Sequence, residues 1–203
     1  MIRIYHSSRA RSAQVVWVCE ELGIPYELET MAFTPENLKS EDYLRVNPMG
    51  RIPTITDGDL TLFESGGIVE YLVERYGEGR LAPPPGSPER GRYLQWLHFG
   101  EGSVMPPLGD IARHTIFLPE ADRIPAVVED AKRRAAVVLD GLAPGLAGRP
   151  YLCGEEFTAA DVTVGYGVGL MRLFGLIGER HADVAAYAER LKARPALQKA
   201  LSV

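Results

Sequence analysis

No stretch of this 203-residue chain stays apolar for the roughly 20 residues that a membrane-spanning helix requires. Cysteine is scarce. Cys19 and Cys153 are too few for a disulfide framework and lack the paired spacing of a metal site, so no metal is expected. The opening residues, "MIRIYHSS", contain neither an apolar core nor a small-residue cleavage site of a secretory leader. A reduced, cytoplasmic setting without membrane contact is the expectation. Positive charge is also in deficit: the formal net charge is −5. Nucleic acid is therefore excluded as the expected partner, because phosphate binding rests on clustered Lys and Arg. A small molecule or another protein remains. Internal repeats and low-complexity tails are absent as well.

What is present divides into two halves. "IRIYH" alternates and reads as a strand. After the polar patch "SSRARS", Val15, Val18, Cys19 and Leu22 fall at helical spacing, and Gly23 is placed to stop the helix. "IPYELET" alternates again, giving a βαβ unit with parallel strands. Residues 35–45 predict one weak polar helix with Pro35 in its first turn. Two short strands flank Asp57-Gly58, a hairpin signal, and "SGGIVEYLVERYG" is a helix. The order βαβαββα over residues 1–77 is that of a thioredoxin-like domain. Residues 78–90, rich in proline and glycine, form a linker. From 91 to 203 every apolar pattern is helical, so the class is α/β followed by all-α.

Within the first half, "NPMGRIPTI" sets Pro53 at the start of a strand, where a residue without an N–H is out of place. This segment, together with "ESGGIVEYL" and "FTAADVTVG", resembles the cytosolic glutathione transferase family, in a bacterial serine-type or unclassified class. The resemblance covers essentially the whole chain. It implies a cis peptide bond before Pro53, leaving the N–H and C=O of Ile52 to pair with an extended peptide. It further implies that Arg51, Ile52, Pro53, Glu64 and Ser65 hold glutathione as co-substrate. In that reading Ser65 meets the α-carboxylate and Glu64 the ammonium of the γ-glutamyl end. Asn47 and Pro48 shape the loop. Thr158 to Asp161 read as a capping box with Phe157 and Val162 as its staple, a structural cluster.

The implied reaction is attack of the glutathione thiolate on a hydrophobic electrophile. A thiol with a pKa of about 8.5 must be acidified to react at neutral pH, and the acidifying groups belong in "HSSRARS". Ser7, Ser8 and Ser12 are the hydroxyl candidates. The alternative is the helix N-terminus assisted by Arg9 or Arg11, and an ungapped comparison with serine-type classes places Arg9 at the catalytic position. The electrophile side is expected from "WLHFGEGSVMPP", where His98, Glu101 and Met105 share a helical face and Pro106 and Pro107 end the helix. His114 and Phe117 are further pocket candidates. "GYGVGLM" lacks a preceding strand, so its glycines serve helix packing and not a phosphate. A homodimer is implied by the family. Two rival readings share this sequence: a glutathione-dependent disulfide reductase or peroxidase on the same fold, and a non-catalytic scaffold.

Overall fold

The computed structural model describes residues 1–203. Its first compact unit comprises residues 1–83 together with 192–203. Strand β1 (Ile2–His6) buries Ile2, Ile4 and His6 on one face, as its alternation requires. It pairs in parallel with β2 (Tyr26–Thr30), Ile4 opposite Leu28, across helix α1 (Ser12–Leu22). Strands β3 (Thr54–Asp57) and β4 (Leu60–Phe63) close the hairpin, and β3 runs antiparallel to β1 with Ile4 opposite Ile55. The sheet order is β2-β1-β3-β4. Helix α4 (Ser65–Tyr76) packs on α1 and returns the chain to the sheet.

Two elements differ from the sequence reading. The segment expected as one helix over 35–45 is two: α2 (Pro35–Leu38) and α3 (Glu41–Val46). Thr34 and Ser40 each cap the helix that follows, accepting from the Asn37 and Tyr43 N–H groups. A cap at Ser40 starts a new helix where the polar pattern suggested continuity. Helix α1 is buried on almost every side, not on one stripe. The reason lies at the far end of the chain, because α10 (Pro195–Ser202) packs against α1. Arg194 clamps Glu21 bidentately, at 2.6 Å and 2.7 Å, and Glu21 also accepts from the Trp17 indole at 2.9 Å. The division at 91–203 therefore gives way at its end: the last dozen residues belong with the sheet.

The second unit, residues 84–191, is helical throughout. It contains α5 (Pro88–Phe99), α6 (Met105–Ala112), α7 (Pro125–Leu146), α8 (Ala159–Leu173) and α9 (Ala182–Lys192), the last running to its boundary. Pro106 and Pro107 do not end a helix. Residues 100–104 wind as a π-helix, and both prolines sit in the first turn of α6. In "GYGVGLM", Gly167 is closely packed. A Cβ there would lie 2.3 Å from Val104 Cγ1, whereas one at Gly169 would meet nothing. No helix is long and apolar enough to cross a membrane.

Candidate functional site

The loop between α3 and β3 is built from the inside. Asn47 is buried and its side chain is fully used: Nδ2 donates to the Arg51 C=O at 2.8 Å and to Thr54 Oγ1 at 2.9 Å, and Oδ1 accepts from the Met49 N–H at 2.9 Å. Tyr43 adds a second brace, its hydroxyl donating to the Arg51 C=O at 2.6 Å. Gly50 has φ +56°, and a Cβ would fall 2.4 Å from the Leu38 carbonyl oxygen, so only glycine fits the turn. The Ile52–Pro53 peptide bond is cis. Neither the N–H nor the C=O of Ile52 makes a hydrogen bond within the chain. The Ile52 side chain is buried against Ala10 and Tyr43, which seats the loop on the turn that follows β1.

Across from this loop, β4 ends and α4 begins. Glu64, the N-cap, is exposed and has φ +78°, outside the range that a side-chain-bearing residue prefers. The N–H groups of Ser65, Gly66 and Gly67 find no acceptor in the chain, while the Glu64 C=O already accepts from Ile68. A helix N-terminus with three open N–H groups carries about half a positive charge and suits an anion.

One cleft joins these features. Arg11, Arg51, Ile52 and Pro53 line one part, and Phe63, Glu64 and Ser65 another, with Asn47 and Met49 completing it. Six of the sequence candidates thus meet: Arg11, Arg51, Ile52, Pro53, Glu64 and Ser65. The loop serines do not line it. Ser7 and Ser12 are buried, and Ser12 Oγ is held by His6 Nδ1 at 2.9 Å; Ser8 and Arg9 are exposed. Arg11 is the N-cap of α1, and the N–H of Ser12, the first residue of that helix, has no acceptor. Met49 and Phe63 were not among the candidates. Their signal was available, since Met49 is the variable position of "NPMG" and Phe63 directly precedes Glu64.

In the helical unit, His98 is exposed on α5. Met105 is half-buried, its Sδ 3.7 Å from where a Gly167 Cβ would stand. The π turn between them breaks the face they were expected to share. His114 Nδ1 accepts from the Ile124 N–H at 3.1 Å, and Phe117 is 60% exposed. The capping box is present: the buried Asp161 carboxylate accepts from the Thr158 N–H at 2.8 Å. It also accepts from the Leu152 N–H and the Tyr187 hydroxyl, each at 3.0 Å. Burial pushes the Asp161 carboxyl up, opposed by these donors. Burial also raises Cys19 to about 12 and raises Cys153, so neither thiol is a nucleophile at neutral pH. No group of three or more His, Cys, Asp or Glu side chains is placed to hold a metal ion.

A four-stranded mixed sheet with a cis-proline loop, followed by a helical unit, defines a thioredoxin-like protein with an appended α domain. Known proteins place it more narrowly. The family described as "Glutathione S-transferase, N-terminal domain" matches residues 2–74. A glutathione S-transferase-like protein of Aspergillus terreus, gedE, is 32% identical over 99% of this chain and 94% of its own length. The glutathione transferase URE2P6 of Phanerochaete chrysosporium, solved in complex with oxidized glutathione, superposes with a TM-score of 0.88 at 29% identity. That match covers 99% of this chain and 94% of that one. A glutathione transferase family member from Pseudomonas fluorescens, with two glutathione bound, also gives 0.88 at 28% identity, covering 98% and 92%. The chain belongs to the glutathione S-transferase family.

Proposed function

We propose that this protein binds glutathione in the cleft beside Pro53 and conjugates its thiolate to a hydrophobic electrophile. One observation carries the reading: the main-chain groups left without partners around that cleft. The N–H and C=O of Ile52 suit an extended peptide, and the N–H groups of Ser65, Gly66 and Gly67 suit a carboxylate. The Glu64 carboxylate, beside that helix start, suits an ammonium. A γ-glutamyl tripeptide carries all three features, and the two solved relatives hold glutathione or its oxidized form.

Acidifying the bound thiol falls to the N-terminus of α1 and the Arg11 guanidinium, since the loop serines do not line the cleft. Lowering its pKa by about two units represents about 2.7 kcal/mol of preferential thiolate binding. The thiolate then attacks the electrophilic carbon; a C–S bond forms and the leaving group departs with its electron pair. In the helical unit His98 is exposed on α5, whereas Met105 is engaged in packing. The setting is cytoplasmic and the working form a homodimer. Light scattering checks the dimer.

A second reading is glutathione-dependent disulfide reduction, in which two glutathiones are oxidised as one disulfide is reduced. It is favoured by relatives solved with oxidized glutathione or with two glutathione bound, and a loop without cysteine permits it. Assays with an aryl halide and with hydroxyethyl disulfide separate the two. Turnover of the aryl halide supports conjugation; activity on the disulfide alone supports reduction. No activity in either, with no glutathione binding by calorimetry, removes both. Ser65→Ala is expected to weaken glutathione binding about tenfold, the scale of a hydrogen bond to a charged group, and more than Ser7→Ala does.

A further inference from the structure

We propose that His6 is a positioning residue: through Ser12 it fixes the turn that presents Arg11 and the start of α1 to the cleft. The inference rests on the glutathione-binding reading above and adds how the thiolate-stabilising groups are held in place. Between His6, the last residue of β1, and Ser12 the chain reverses in a tight turn. The Ala10 N–H donates to the Ser7 C=O at 3.1 Å, with Arg9 at φ +62° between them. A side-chain-bearing residue in that region costs about 1 kcal/mol, so the surroundings must impose the turn.

Two attachments impose it. On the side of the cleft, Ala10 packs against Ile52 and Tyr43. On the inner side, Ser12 Oγ accepts from the Ser7 N–H at 3.3 Å, lies 3.4 Å from the Ser7 C=O, and meets His6 Nδ1 at 2.9 Å. His6, Ser7 and Ser12 are each at most 2% exposed. Burial holds the His6 imidazole below its usual range, against a weaker pull from the Val203 backbone, so the ring is neutral at pH 7. Ser12 Oγ thereby ties the Nδ1 edge of the ring to the main chain of Ser7, accepting from its N–H and lying within donor range of its C=O. Ser12 is thus a strut inside the fold and not the hydroxyl that meets the thiol. Stabilising a thiolate depends on donors held in place before the charge forms, which is what the strut secures.

The test follows thiolate absorbance of bound glutathione against pH in the wild type, His6→Leu, His6→Asn and Ser12→Ala. His6→Leu and Ser12→Ala should each raise the bound thiol's pKa by about one unit and lower kcat at neutral pH about tenfold. KM for glutathione should stay within about twofold, because the anchors at Ile52 and Ser65 are untouched. His6→Asn, whose carboxamide reaches the same point as Nδ1, should restore most of the loss. The double variant should be little worse than either single one. An unchanged thiol pKa in Ser12→Ala, with only a lower Tm, would overturn the proposal, as would an Asn variant no better than Leu. Should His6→Leu fail to fold, Ser12→Ala decides alone. If the wild type itself binds no glutathione, or binds it with an ordinary thiol pKa, the underlying reading fails instead.

Discussion

Glu64 is the residue at which local preference and role diverge most clearly. Its φ of +78° costs about 1–3 kcal/mol for any side chain larger than glycine, and its side chain makes no capping bond to α4. Glycine would relieve that cost, yet it would remove the carboxylate we assign to the substrate ammonium. Glu64→Gly is therefore expected to raise unfolding stability by about 1 kcal/mol while weakening glutathione binding about tenfold. Denaturant melts and calorimetry on one preparation check both halves; a variant that loses stability and keeps affinity would show that Glu64 serves the fold. The motif made Glu64 a candidate. Its backbone geometry was invisible, because φ at one residue is imposed by where β4 must end and α4 must begin.

Among elements, the start of α8 is the most tightly determined. Asp161 gathers the N–H groups of Leu152 and Thr158 with the hydroxyl of Tyr187, and so joins the loop before α8 to α9. Asp161→Ala would leave those donors buried without an acceptor, at a cost of about 3 kcal/mol. A fall in denaturation midpoint of that size, with glutathione affinity retained in the protein that remains folded, is the expected result. The capping box was legible from "TAAD", since it is a local pattern of four residues. The Leu152 and Tyr187 contacts were not, being set by packing across 9 and 26 residues. The π turn at 100–104 escaped for a similar reason. Prolines 106 and 107 look like a terminus, yet α8 packs against the turn and α6 beyond it, and the chain continues as helix.

At the scale of the molecule, the chain leaves the sheet, builds the helical unit, and brings α10 back against α1. The same burial that packs His6 makes acid stability sensitive to it. Because its folded-state pKa is lowered, the unfolded chain takes up that proton first as pH falls below about 6.5. Stability should thus decline as the pH falls below about 6.5 in the wild type and decline less in His6→Asn, which pH-dependent thermal melts would show. Chemistry without a protein thiol is a second expectation at this scale. With Cys19 pushed up to about 12 and Cys153 also raised, the Cys19→Ala/Cys153→Ala variant should keep its glutathione-dependent activity within about twofold. Loss of activity without loss of folding would place a cysteine in the reaction.

By itself, the sequence determined the βαβ unit, the β-hairpin, the helical second half, the proline loop at Pro53, the helix start at Ser65 and the capping box. Each is written in a few adjacent residues, because backbone preference and capping act over one or two turns. Tertiary structure alone decided which residues of "HSSRARS" face the cleft, turning Ser7 and Ser12 inward and Arg11 toward it. It also decided that residues 192–203 cover α1. Both outcomes depend on surfaces meeting from distant parts of the chain, and no local pattern carries that information.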